Sequence, residues 1–156
     1  MRPTATQAAS ASVAMSSTMP KVFLDTNVLV YAGDQDSPEK RRAARALLQR
    51  VGGEGGGVIS TQVIQEFFVA ATRKLAIEPL KAKAIIATFH PLELVTVSIE
   101  DINDAIDGNI LWQVSFWDAL ILRAAERASC SIVYSEDLNP GQLYGGVEVR
   151  NPFLDI

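Results

Sequence analysis

The chain has 156 residues, enough for one domain with a sizeable core, and its 48% apolar and 21% charged content is an ordinary globular balance. One cysteine, Cys130, excludes an internal disulfide and fits a reducing cytoplasm; no apolar run is long enough to span a bilayer; and a lone His90 excludes zinc sites built from several imidazoles. The net charge of −4, from 14 basic and 18 acidic residues, argues against a general nucleic-acid coat unless several acids gather in one cleft.

Residues 1–20 are rich in Ala, Ser and Thr, lack periodicity and contain no continuous apolar core of a signal peptide. They are expected to be a disordered tail or the product of a start codon assigned too early, leaving residues 21–156 as the domain. Val22 to Leu24 reads as a buried strand running into Asp25-Thr26-Asn27, three helix-capping types in succession, and a short helix from Asn27 to Ala32. Ser37 and Pro38 then cap a helix from Glu39 to Val51, with Ala43, Ala44, Leu47, Leu48 and Val51 on its core face. Lys40, Arg41, Arg42 and Arg45 lie opposite; a solvated face is the ordinary reading, and contact with substrate phosphates the alternative. Gly52 to Gly57 is expected to end this helix and act as a flexible connector.

Val58-Ile59 predicts a second strand, and Ser60-Thr61 caps a helix to about Lys74. Further helices are predicted from Pro79 to about Phe89, from Ile99 to Trp112 and from Phe116 to Ala128, with His90 in a capping or loop role. Strands are predicted at Leu92–Val97, Ser131–Tyr134 and Val147–Arg150, the last entered from a Gly-rich loop. Alternating strands and helices imply an α/β fold, a five-stranded parallel sheet covered on both faces.

Four acids share one address. Asp25 follows the first strand and Asp137, in Ser135-Glu-Asp137-Leu, follows the fourth; the carboxyl edge of such a sheet is where ligands bind. Glu66, in Gln62-Val-Ile-Gln-Glu66-Phe, and Asp118, in Ser115-Phe-Trp-Asp118-Ala-Leu, reach that edge if their helices start there and turn those faces inward. Each has a bland explanation: a helix cap for Asp25, a turn residue for Asp137, a capping box for Ser115-x-x-Asp118, and a solvated charge for Glu66. Against these, Glu66 and Asp118 have Ala70 and Leu122 four residues on, so no intrahelical ion pair is available, and both sit among large apolar residues. Carboxylates converging without histidine or cysteine suit Mg²⁺ or Mn²⁺, and such a site hydrolyses phosphate esters.

Together the four motifs, with the closing Arg150-Asn-Pro-Phe153, resemble the PIN-domain nucleases, most closely the VapC-type toxins of toxin–antitoxin pairs. The resemblance implies a PIN-like three-layer α/β/α fold and a metal-dependent ribonuclease. Its acidic quartet would be Asp25, Glu66, Asp118 and Asp137, with Asp25 and Asp118 as direct ligands of Mg²⁺ or Mn²⁺ and Glu66 and Asp137 holding a second ion or orienting water. Thr26, Asn27 and Ser115 would be supporting polar residues, whereas Glu136 has no assigned role. It also implies an RNA substrate, a VapB-like antitoxin that blocks the cleft, a homodimer, a cytoplasmic location and no membrane association. A housekeeping PIN nuclease without an antitoxin, or a non-catalytic PIN binding module, shares most of these features. A haloacid-dehalogenase-type phosphatase would need an Asp where Asn27 stands, and a receiver domain would need an acidic pair and a lysine in places that lack them.

Overall fold

The computed structural model describes residues 20–156, and the expectation of a disordered tail or early start lies outside them apart from Pro20. In chain order the elements are β1 (Val22–Leu24), α1 (Thr26–Tyr31), α2 (Pro38–Glu54), β2 (Gly57–Ser60), α3 (Thr61–Arg73), α4 (Pro79–Ala87) and β3 (Glu93–Val95). They continue with α5 (Ile99–Trp112), α6 (Phe116–Arg127), β4 (Ile132–Tyr134), β5 (Leu143–Tyr144) and β6 (Val147–Arg150). The strands lie in the order β3-β2-β1-β4-β6-β5, with the first five parallel and β5 antiparallel to β6.

The parallel strands carry Phe23, Leu24, Val58, Ile59, Val133, Val147 and Val149, all essentially inaccessible to solvent, because helices cover both sheet faces. With this strand order, the right-handed crossover rule assigns α1–α4 to one face and α5–α6 to the other. The helix packing follows: α1 meets α2 and α3, α3 meets α4, and α5 meets α6. The chain moves from β1 to β2 and β3 in one direction, then returns past β1 to β4 in the other. The order therefore reverses between β1 and β4, and a crevice opens at their carboxyl ends. Asp25 and Asp137 both follow strands that flank this reversal.

The expected five parallel strands are present, and the structure adds β5. Gly145 and Gly146, at φ +55° and +85°, form the two-residue turn that pairs Tyr144 with Val147. The glycine connector after α2 is a correction. The helix continues through Gly52 and Gly53 to Glu54, Gly55 ends it in the left-handed conformation (φ +74°), and only Gly55 and Gly56 link it to β2. Gly57 already belongs to the sheet, where an added Cβ would collide with the side chains of Val51 and Leu92. His90 lies exposed just beyond α4, with Nδ1 3.2 Å from the Ala87 carbonyl, in the expected end-of-helix role.

Candidate active site

Asp25 is the N-cap of α1, and its Oδ1 accepts the Thr26 N–H at 2.7 Å. Its Oδ2 accepts the Ser135 hydroxyl at 2.6 Å, and the same Ser135 Oγ accepts the Asp137 N–H at 3.1 Å. Ser135 is wholly buried, so one hydroxyl joins the ends of β1 and β4. Thr26 reaches the other way, donating its hydroxyl to Glu66 Oε2 at 2.6 Å. Asn27 donates to Asp137 Oδ2 at 3.1 Å, and its own oxygen accepts the Glu136 N–H. Gln62, one turn before Glu66 on α3, donates to Glu66 Oε1 at 2.9 Å and to the Trp117 carbonyl at 3.2 Å. Three of the four acids are thus linked by short neutral side chains.

Asp118 joins them through the electrostatic field. Burial raises its acid above the ordinary range, and the charges of Asp137 and Glu66 raise it further, against a lowering by Ser115. Burial likewise pushes Asp25 up to about 6; the Ser135 hydroxyl and Thr26 N–H oppose this, while Asp137 and Glu66 again add to it. Asp25 is only 5% exposed. Among the described residues, none of the four acids forms a salt bridge. One neighbouring ammonium is taken: Lys40 pairs with Glu136, donates to Tyr31 Oη at 3.2 Å and lies over the Tyr31 and Phe153 rings, whereas Lys74 lines the cleft. This accounts for Glu136, and it withdraws Lys40 from the solvated face of α2; Arg45 is also engaged, with the Ala32 carbonyl.

Among the described residues, no three Asp, Glu, His or Cys side chains close into a ready-made cage for a metal ion. The donor set nevertheless fits a hard divalent cation: it is all oxygen, partly buried and, among the described residues, without a salt bridge, so like charges raise one another's acids. A cleft of about 400 Å³, lined by Thr26, Asn27, Glu66, Glu136 and Asp137, opens beside it. Cys130 offers no rival nucleophile, since burial pushes its thiol up to about 12.

All seven residues singled out from the sequence stand in or beside this cleft, Ser115 by accepting the Asp118 N–H at 3.1 Å. The expected capping box at Ser115 is half formed, because the reciprocal bond from the Ser115 N–H to the Asp118 carboxylate is not made. Two residues of the site escaped sequence reasoning, Ser135 and Gln62. Position could have found both: Ser135 is the residue directly after β4, as Asp25 is after β1, and Gln62 lies one helical turn before Glu66.

The chain matches the PIN domain family over residues 22–144. No curated protein matches it. Among solved structures it is similar to the VapC20 toxin of Mycobacterium tuberculosis, which cleaves the sarcin–ricin loop: TM-score 0.61 and 17% identity, over 75% of this chain and 90% of that one. It is also similar to a chain of a toxin–antitoxin complex from Klebsiella pneumoniae (TM-score 0.63, 17% identity, 85% of this chain and 98% of that one). A third likeness is to a chain of the DNA-bound VapBC complex of Salmonella typhimurium (TM-score 0.62, 18% identity, 86% and 99%). With the sheet order, the acids at the β1/β4 crevice and the match across most of its length, the chain belongs to the PIN-domain family.

Proposed function

We propose that this protein is a Mg²⁺- or Mn²⁺-dependent ribonuclease and the toxin of a toxin–antitoxin pair. The observation that carries the catalytic reading is four carboxylates sharing one field at the topological switch point, none of them in a salt bridge among the described residues. Asp25 and Asp118 would hold the divalent cation, with Glu66 and Asp137 completing its surroundings. When bound, the cation would supply charge for a phosphate oxygen and acidify a water molecule.

The chain's own residues do the positioning. Ser135 and the Thr26 N–H keep Asp25 in one rotamer, the Thr26 hydroxyl and Gln62 keep Glu66 in another, and Asn27 holds Asp137. The carboxylates nearest the cleft, Glu66 and Asp137, can take a proton from an attacking water once the site is occupied. The product of hydrolysis is a pair of RNA ends. The likeness to toxin chains supports the toxin role and a VapB-like antitoxin as partner, and a homodimer and a cytoplasmic location complete the proposal. No helix among the described residues is long and apolar enough to cross a membrane.

The test of catalysis is RNA cleavage by the purified chain with Mg²⁺ or Mn²⁺, abolished by EDTA and by Asp25→Asn, with circular dichroism unchanged. Cleavage by Asp25→Asn at the wild-type rate would sink the metal-site reading. Expression with and without the neighbouring gene, with the RNA ends mapped, tests the toxin role: growth arrest relieved by the neighbour is expected.

A further inference from the structure

The acidic cleft runs into a second depression. Glu66, Ala70 and Lys74 line both the cleft and a groove of about 590 Å³ along α3. Trp117 borders this groove beside the start of α3, Val69 contributes apolar wall, and Arg73 and Lys74 stand at the helix end, roughly 16 Å away at 1.5 Å per residue.

Three features of the groove are unexplained by folding. Trp117 is 61% exposed, although the next residues of α6, Asp118 aside, are buried from Ala119 to Leu122. Its aromatic neighbour is Phe116, in a T-shaped pair at a centroid distance of 5.1 Å. Arg73 and Lys74 are exposed and form no salt bridge among the described residues. Gln62 is 4% exposed, and its Oε1 is buried without a hydrogen-bond partner among the described residues. Turning the amide over would set that oxygen against the Glu66 carboxylate, so the amide keeps Nε2 on Glu66 and Oε1 unpaired. A buried acceptor left unpaired is unfavourable.

We propose that this groove is the subsite for a nucleotide adjoining the scissile phosphate, with an unpaired base stacked on Trp117 and the strand's phosphates running toward Arg73 and Lys74. The inference rests on the ribonuclease reading of the acidic cleft. An apolar peptide would suit the groove wall, but two cations without acidic partners and a flat, exposed indole match a single strand of nucleic acid better. Stacking accepts any base, and the cations meet the backbone.

The experiment uses the full chain carrying Asp25→Asn, so that RNA survives, titrated with a single-stranded ribo-oligonucleotide and with an abasic oligonucleotide of equal length. Quenching of tryptophan emission by the first and not the second is expected. Trp117→Ala should weaken RNA binding roughly 5- to 100-fold, the range for one stacked aromatic, while Trp117→Phe keeps most of the affinity. In the otherwise wild-type chain, Trp117→Ala should raise KM for cleavage and leave kcat within about threefold. Equal quenching by the abasic strand, or unchanged RNA affinity in Trp117→Ala, overturns the proposal. Loss of the co-expressed neighbour's product from a Trp117→Ala chain that still binds RNA normally overturns it too, in favour of a protein site. Failure of the ribonuclease reading looks different: the wild-type chain leaves RNA uncut with Mg²⁺ or Mn²⁺, whether or not the oligonucleotide quenches Trp117.

Discussion

The starts of α5 and α6 carry the same four-residue pattern, Ser98-Ile-Glu-Asp101 and Ser115-Phe-Trp-Asp118, and come to opposite ends. At α5 the capping box is complete: Ser98 Oγ accepts the Asp101 N–H, and Asp101 Oδ2 accepts the Ser98 N–H at 2.8 Å. The Asp101 carboxylate is also paired with Arg127 of α6, and its charge is fully met inside the fold. At α6 only the serine half forms, no salt bridge reaches Asp118 among the described residues, and its carboxylate is left to the field of Glu66 and Asp137. A capping motif therefore explains why an acid stands at a helix start without deciding what the acid is for. The deciding variable is the charge across from it, set by the fold and not by the motif.

The sharpest way to break this contrast is to neutralise each acid in turn. Asp118→Asn should lower RNA cleavage at least roughly 100-fold, since a site that neutralises developing charge is worth several kcal/mol to the transition state. Asp101→Asn should leave the cleavage rate of the folded protein within about threefold. Rates measured on chains shown to be folded by circular dichroism check both; equal losses would mean that the two starts are not functionally distinct.

Asp25 extends the contrast to stability. Its carboxyl is near 6 when folded against an ordinary 3.8, so the native state holds the proton more tightly than the unfolded chain does. Stability is then fullest below pH 3.8 as far as this group is concerned, falls as pH rises through about 6, and stays low above it. In EDTA at pH 8, Asp25→Asn should stabilise the protein by about 1–3 kcal/mol, because Asn keeps an acceptor for the Thr26 N–H and carries no charge. Mg²⁺ should raise the melting temperature of the wild-type chain and not that of the variant. A variant less stable than wild type at pH 8 in EDTA would mean that Asp25 is chiefly a structural cap.

What could be read in advance follows the range of the interaction. The helix starts, the buried strands and the four acids are local features, visible as capping residues, apolar runs and missing i+4 partners. Ser135 could be placed at the end of β4, but not joined to Asp25, because that bond spans 110 positions and depends on β4 lying beside β1. The Lys40–Glu136 pair hid for the same reason, and so Glu136 had no role and Lys40 kept a solvated one. The α2 terminus was misread because Gly52 and Gly53 look like breakers, whereas both face open space and can stay helical until Gly55 turns left-handed. The β5–β6 hairpin was within reach: Tyr144-Gly-Gly-Val147 is a two-residue hairpin signal, missed because its strand is two residues long.

The serines refine the comparison at the smallest scale. Ser98 takes part in two backbone–side-chain bonds of its box, one through its hydroxyl and one through its N–H, and the box encloses a buried carboxylate. Ser115 makes one such bond, at the mouth of an open cleft. Removing the hydroxyl by Ser98→Ala should cost about 1 kcal/mol in urea unfolding, and Ser115→Ala about 0.5 kcal/mol, since caps nearer solvent are replaced more readily by water. The functional order should be reversed. Ser115→Ala frees the Asp118 carboxylate from the one group that lowers its pKa, so its activity at mildly acid pH should fall several-fold while Ser98→Ala is silent. If Ser115→Ala shifts the pH profile to higher pH, the half-formed box holds the ligand ready. If both alanine variants leave the profile unmoved, Asp118 is positioned by α6 alone and Ser115 is only a cap.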